Sequence, residues 1–246
     1  SDAKRWLIPA TQVYNSNERV QRMFAEIAPR YDLMNHLLSM NVDRWWRRFA
    51  VRKVPPIGKG PILDVCTGTG DLALVYARYT KGTVPVVASD FCPEMLEIGK
   101  EKLARTNLGE QVSFVEADAQ ALPFADDHFG LRNVQDTDQG LREMTRVCAP
   151  GGRVAILEFS MPRWQPFRGM YGFYFRNILP RIGQLFARNT SDAYSYLPES
   201  VSQFPEGEAL LERMELAGLE DVRCYPLTLG VASLYVGEKS DFNLDC

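Results

Sequence analysis

Asp64, Asp90 and Asp118 each stand at or near the end of an apolar, strand-like run, and Gly68 and Gly70 follow the first of these runs directly. A strand that enters a glycine turn and then a helix is a general way to seat a nucleotide, because the helix N-terminus offers free N–H groups and glycine lets a ligand approach the backbone. The turn in "PILDVCTGTGDLAL", residues 61–74, does not suit phosphate. A P-loop needs a lysine after the turn, where Asp71 stands, and a dinucleotide fold needs G-x-G-x-x-G, where only Gly68 and Gly70 are offered. A pyrophosphate placed there would meet Asp64 and Asp71 at a few ångströms. At an effective dielectric near 20 each contact costs on the order of 4 kcal/mol, against ~0.3 to 1 from the helix dipole. The pattern therefore fits a nucleoside with a cationic reactive end. Asp90, 20 residues after Gly70, is placed to accept both ribose hydroxyls, and Asp118, followed by Ala119, to reach an adenine amino group. The competing reading is that such acids are helix N-caps; it suits each one singly better than it suits the ordered set.

These side chains need a sheet edge to hold them. From Pro61 to Val115 strand-like and helix-like segments alternate: 61–66, a helix from Asp71 to Arg78, 83–90, a helix from Pro93 to Arg105, and 111–118. Alternation of this kind predicts a parallel sheet with crossover helices, and ligands of such sheets lie outside the carboxyl ends of the strands. A helix over 136–147 with Leu141, Met144 and Val147 on one face is closed by "APGG" before the strand 153–160. A helix from Glu206 to Ala217 precedes a strand pair, and residues 17–54 read as a helical cap broken near Pro29.

The chain has 246 residues, enough for one large α/β unit, and a formal charge of -3 that gives nucleic acid no overall electrostatic footprint. Cys66, Cys92, Cys148, Cys224 and Cys246 are odd in number and scattered, and read as reduced core residues rather than a disulfide or zinc framework. No apolar run reaches eighteen residues and no secretion signal is legible in "SDAKRWLIPA", so the expected location is the cytoplasm, with a peripheral membrane contact. The absence of an initial Met suggests a processed or engineered start.

The segments "LDVCTGTGD", "VVASDFCPEMLEIGKEK" and "EADAQALPFADD" resemble the successive cofactor motifs of class I S-adenosylmethionine methyltransferases. More narrowly, "FAEIAPRYDLMNHLLSMNVDRWWR", "FGLRNVQDTDQGLREMTRVCAPGG" and "YSYLPESVSQFP" resemble the ubiquinone/menaquinone biosynthesis C-methyltransferase family (UbiE/MenG), over roughly residues 17–238. The resemblance implies a Rossmann-like α/β fold with a mostly parallel sheet and a C-terminal antiparallel strand, and S-adenosyl-L-methionine as cofactor. It further implies that Thr69, Asp90, Asp118 and Ala119 bind the cofactor, with Gly68 and Gly70 shaping the turn; Asp64 is counted with this set. The arginine of "GLRN", Arg132, is implied to help remove a phenolic proton, with Asn133 beside it. By its reference pKa a guanidinium is a poor base, so relay through water is the more credible route; the alternative is a structural ion pair. Tyr31 is expected near the reacting ring, with Tyr194 and Tyr196.

Family members carry about seven more residues between Phe129 and the Gly-Leu-Arg-Asn segment. The sheet is thus left with no evident source for the strand beside 61–66, unless 153–160 moves into the vacancy. We expect that the sequence as given has closed over these residues.

Residues 160–200 form an insertion that a cofactor fold does not need. Between Phe159 and Ser191 it holds five arginines, no acid, and seven aromatic residues including Trp164 and Tyr171. Apolar rings among arginines suit an isoprenoid tail together with an anionic bilayer; plain packing of a helical subdomain is the simpler reading. His36 and His128 read as packing or surface residues. The implied reaction is metal-free C-methylation of a reduced polyprenyl quinone, the implied partners a polyprenyl hydroquinone, the membrane surface and a second copy in a homodimer, with no nucleic acid. Methylation of another lipid or phenol, and a non-catalytic role in quinone-synthesis assembly, are the alternatives.

Overall fold

The structure is a computed structural model; it describes residues 21–22, 24–56, 60–133, 138–160, 162, 164–174, 177, 181 and 205–241, with backbone alone at 34, 37, 38 and 131–133. Seven strands among the described residues form one sheet in the order β3-β2-β1-β4-β5-β7-β6. They are β1 Ile62–Val65, β2 Val86–Asp90, β3 Val112–Glu116, β4 Phe129–Asn133, β5 Cys148–Phe159, β6 Leu219–Leu227 and β7 Ala232–Lys239. β1 to β5 pair in parallel, and β7 joins β5 and β6 antiparallel, as expected for this class.

Helices cover both faces. We number them α1 Tyr31–Leu38, α2 Asp43–Lys53, α3 Asp71–Tyr79, α4 Pro93–Ala104, α5 Asp138–Val147, α6 Phe167–Phe173 and α7 Glu208–Leu216. On one face Trp46, Ala50 and Val51 of α2 and Leu72, Ala73 and Tyr76 of α3 pack with Ile62, Val86 and Ala155. On the other, Leu141, Met144 and Val147 of α5 and Leu210 and Met214 of α7 meet Leu63, Val154, Ile156 and Tyr235. All four residues of β1 are buried, which explains why its sequence is a continuous apolar run interrupted by Asp64 alone.

The centre of the sheet corrects one expectation. The strand beside β1 is supplied by "FGLRN" itself: Leu131 lies beside Ile62 and Asn133 beside Asp64, and the same residues pair with Arg153 and Ala155 of β5. β5 stays on the far side of β4 rather than moving in. The fit is irregular, since Phe129 pairs with Cys148 and Leu131 with Arg153, so Gly130 alone opposes residues 149–152. The "APGG" stretch, expected to lie between helix and strand, is this bulge within β5, with Gly151 at φ 68°. The physical reason is the cost of unpaired backbone at a sheet centre. Any chain segment with free N–H and C=O groups is recruited there, even one carrying an arginine and an asparagine.

The cap breaks near Pro29, as expected, in a 3-10 turn over Ala28–Arg30. Its Ile27 and Ala28 pack on Cys92 and Met95, and Gln21 donates to the Phe91 carbonyl at 2.7 Å. The cap therefore sits over the turn that follows β2. Of the insertion, α6 is described and Tyr171 is buried in the core, whereas Tyr194 and Tyr196 lie outside the described residues.

Candidate active site

Strand order reverses beside β1, between β2 and β4, and the crevice expected at that point opens at the strands' carboxyl ends. Three left-handed residues make the turn there: Cys66 at φ 52°, Gly68 at 57° and Gly70 at 78°. The turn is held from both sides. Thr67 N–H donates to the Ser89 carbonyl at 2.9 Å, and Gly68 N–H donates to Asp90 Oδ2 at 2.8 Å.

Asp90 ends β2 and is 6% exposed. Its other oxygen, Oδ1, accepts from Cys92 N–H at 3.0 Å. Burial raises its pKa, and the amides of Cys92, Gly68 and Phe91 pull it back in part. Two carboxylate oxygens have about four lone-pair sites, so with these amides bound the group keeps capacity for a further donor, the requirement for a residue that grips ribose hydroxyls. Asp118, just past β3, is exposed; its Oδ1 accepts from Gln120 N–H at 2.8 Å, and Ala119 packs partly buried against the core.

Asp64 behaves otherwise. It is 2% exposed, and its Oδ2 accepts from the Thr67 hydroxyl at 2.6 Å and from Ala73 N–H at 3.1 Å. Counted with the cofactor set from sequence, it braces the turn against the start of α3 through this oxygen. A signal for this was present in the sequence: a carboxylate inside a fully apolar strand must find donors within the protein. Thr69 is likewise turned inward. Its hydroxyl donates to Asp32 Oδ1 at 2.5 Å and accepts from Lys102 Nζ at 2.7 Å, so its side chain is engaged away from a ligand.

Lys102, near the end of α4, escaped sequence reasoning because a lysine there reads as a solvated helix face. Its ammonium also meets Asp71 Oδ1 at 2.7 Å and Asp32 Oδ2 at 2.5 Å, while Arg47 meets Asp71 Oδ2 at 2.9 Å. Asp71 is thus neutralised. This corrects the charge argument made from sequence, in which Asp64 and Asp71 both repelled phosphate: one is sealed inside and the other is paired. The unpaired acidic character of the rim rests on Asp90 and Asp118.

The glycines also have a reason the sequence did not supply. A Cβ on Gly68 would lie 2.9 Å from Tyr31 Cε1, and one on Gly70 would lie 2.7 Å from Phe114 Cε1. Protein rings, and not only a ligand, demand glycine there. Tyr31 therefore lies against the turn, as expected of a residue near the reaction. Burial pushes its hydroxyl up to about 12; a hydrogen bond with Asn35 works the other way, and the charges of Asp90 and Glu158 add to the rise. Glu158, near the end of β5 and 7% exposed, is a rim carboxylate that the sequence reading passed over. Arg132 and Asn133 lie on β4 level with Leu63 and Asp64, within the sheet rather than beyond it. His36, read as a packing or surface residue, bonds Asp43 at 3.0 Å.

The acceptors at this rim fit S-adenosylmethionine: Asp90 offers acceptors for a ribose, Asp118 an acceptor for an amino group, and neither suits a polyphosphate. Solved structures agree on the fold. A putative S-adenosyl-L-methionine-dependent methyltransferase from Methanococcus maripaludis superposes with a TM-score of 0.59 at 16% identity, covering 89% of this chain and 95% of that one. Another such protein, from Thermotoga maritima, gives 0.58 at 16%, covering 89% and 99%. Among curated proteins, the ubiquinone/menaquinone biosynthesis C-methyltransferase UbiE of Geotalea daltonii is 47% identical over 229 residues, 90% of this chain and 97% of its own. The demethylmenaquinone methyltransferase of Deinococcus radiodurans is 43% identical over 238 residues, 94% and 97%. A model of the ubiE/COQ5 methyltransferase family matches residues 12–239, and with relatives this similar over nearly their full length the chain belongs to that family of methyltransferases.

Proposed function

We propose that the protein methylates a ring carbon of a reduced polyprenyl quinone, a demethylmenaquinol or the equivalent ubiquinone precursor, with S-adenosylmethionine as methyl donor. The observation that carries this is Asp90, fixed by the Gly68 and Cys92 amides at the switch point of the sheet with acceptor capacity to spare. The relatives at 43% and 47% identity, named for demethylmenaquinone and ubiquinone/menaquinone methylation, supply the acceptor class.

When bound, S-adenosylmethionine supplies an electrophilic methyl group on a positively charged sulfur. Asp90 would hold the ribose hydroxyls and Asp118 the adenine amino group. Gly68, Thr69, Gly70 and Ala119 would shape the pocket through backbone and van der Waals contact, and Asp64 keeps the turn in register from below. The acceptor must lose its phenolic proton, so that electron density reaches the ring carbon. Tyr31, whose hydroxyl is held protonated by burial, is no base at neutral pH. It would donate a hydrogen bond to the ring oxygen as negative charge develops. Arg132 and Asn133 stand as the residues that would orient a water that takes the proton and passes it on to solvent, the guanidinium, itself always protonated, balancing the phenolate charge that is left. The cap excludes bulk water, and the main contribution of the chain is alignment of the reacting atoms at about 3–3.5 Å.

Exposed Trp164, Met170 and Phe173, at 61, 65 and 58%, support a peripheral membrane contact beside the acceptor's tail. No helix among the described residues is long and apolar enough to cross a membrane. The test supplies methyl-labelled S-adenosylmethionine with demethylmenaquinol and, separately, with the oxidised quinone. Label should enter a ring carbon of the reduced form alone; binding of cofactor without any transfer would overturn the reading in favour of a non-catalytic role.

A further inference from the structure

A second cavity lies along the outer side of α3, walled by α2 and the end of α4, with a volume of about 750 Å³. Its lining is strongly basic on a chain whose net charge is -3. Arg47 and Lys102 belong to it but are committed to Asp43, Asp71 and Asp32. Arg44, Arg48, Arg52 and Arg78 are different: all four are exposed, all four line the cavity, and none makes an ion pair with a described residue.

Their placement follows from helix geometry. Residues 44, 48 and 52 recur every fourth position of α2 and so form one stripe, and Arg78 in the last turn of α3 faces it across the cleft. Guanidinium groups gathered in a concave space repel one another, and a low-dielectric wall strengthens that repulsion. A solvated helix face would spread them over a convex surface instead. Such an arrangement is relieved by a bound polyanion.

The rim says which kind. Tyr79 lines the cleft and is 47% exposed, and Trp45, next to Arg44 on α2 and outside the lining itself, is half exposed against Phe49 at a ring distance of 5.6 Å. A small inorganic phosphate compound has no use for exposed indole and phenol rings, whereas Trp and Tyr beside arginines are the composition of a bilayer interface. We infer that this cleft docks the protein on the phosphate headgroups of an anionic membrane. This depends on the quinol reading only for its purpose, because an acceptor with an isoprenoid tail resides in the bilayer.

The test measures binding of the full chain to vesicles of phosphatidylcholine, with and without about 30% phosphatidylglycerol, at two ionic strengths. Binding should require the anionic lipid, weaken with salt and, in a Trp164→Phe background, shift tryptophan emission to the blue, a shift that the further change Trp45→Phe removes. Each arginine neutralised should weaken binding roughly fivefold, so that Arg48→Gln, Arg52→Gln and Arg78→Gln together lose about a hundredfold. Equal affinity for neutral and anionic vesicles, or parental binding by the triple variant, would overturn the inference. So would release by micromolar inorganic pyrophosphate at constant ionic strength, which would make the cleft a site for a soluble polyanion. The wild-type comparison of vesicles stands even if the variant does not fold. Transfer to a short-chain quinol in detergent separates the two readings: the variant should match the parent there and fall behind only on vesicle-embedded acceptor. Failure of the parent in detergent counts against the activity and leaves the vesicle result intact.

Discussion

Replacing Asp90 with Ala separates two jobs that this carboxylate performs. In the protein alone it satisfies Gly68 N–H at 2.8 Å and Cys92 N–H at 3.0 Å, both buried. An amide left without a partner costs about 1–3 kcal/mol, but removing a charge that burial disfavours returns part of this, so we expect a net loss of about 1–3 kcal/mol. For a chain of this size that is a fall in Tm of roughly 2–12 °C, which leaves the variant folded at 25 °C. In the complex the variant also loses two hydroxyl-to-carboxylate hydrogen bonds. Their net value is about 2–4 kcal/mol, equivalent to roughly 30- to 1,000-fold in S-adenosylmethionine affinity by titration calorimetry. The pH dependence has a fixed sign. Because burial raises the folded pKa of Asp90, the carboxylate takes up its proton, and loses part of its grip on hydroxyl donors, at a higher pH than an exposed aspartate does. Cofactor affinity should therefore decline on acidification before exposed carboxylates titrate, and the alanine variant should lack that decline. A folded variant with parental affinity would refute the ribose role and the reasoning built on it.

Gly70→Ala combines a left-handed residue at φ 78° with a Cβ 2.7 Å from the Phe114 ring, and should cost about 2–4 kcal/mol in denaturant melts. Gly109→Ala, where nothing lies within 4 Å, should change stability by less than about 1 kcal/mol, and equal losses at both sites would dismiss the packing account. Lys102→Met removes one ammonium from Thr69, Asp71 and Asp32; with partners a third exposed, solvent screening limits the loss to about 1–2 kcal/mol. It should loosen α1 from the turn, seen as faster amide exchange there. Burial alone would raise the pKa of Asp43, but Arg47 and the bonds from His36 and Ser39 outweigh it and leave the group lowered. The stability it confers is thus present above the ordinary carboxylate value of about 3.9 and lost as pH falls below it, so the Tm gap between Asp43→Asn and the parent should be wide at pH 7 and close toward pH 3. Tyr31→Phe should lower turnover without moving any titration below about pH 11, since the parent hydroxyl does not ionise there; loss of an ionisation near neutrality would show that Tyr31 acts as a base.

What could be read from the sequence was local. β1, the glycine turn and α3 declare themselves in fourteen consecutive residues, and α4 announces its start by Pro93 at its first position. β4 did not, because nothing in "FGLRN" favours a strand: it is five residues long, opens on Phe-Gly, and carries Arg132 and Asn133. Its state is set by the unpaired edges of β1, which ends 64 positions earlier, and of β5, which begins 15 positions later, both beyond the reach of any local rule. The carboxylates show the same limit from the other side. Sequence treats Asp64, Asp71, Asp90 and Asp118 as four equal charges at a rim, and any field computed from their number is too strong. The fold sorts them by their donors: Asp64 is sealed by a hydroxyl and an amide, Asp71 is cancelled by Lys102 and Arg47, and Asp90 is held by two amides that leave it acceptor capacity. A preference for a cationic nucleoside therefore follows from which acids are left with lone pairs toward the crevice, and those donors come from residues up to 31 positions distant, where no motif looks.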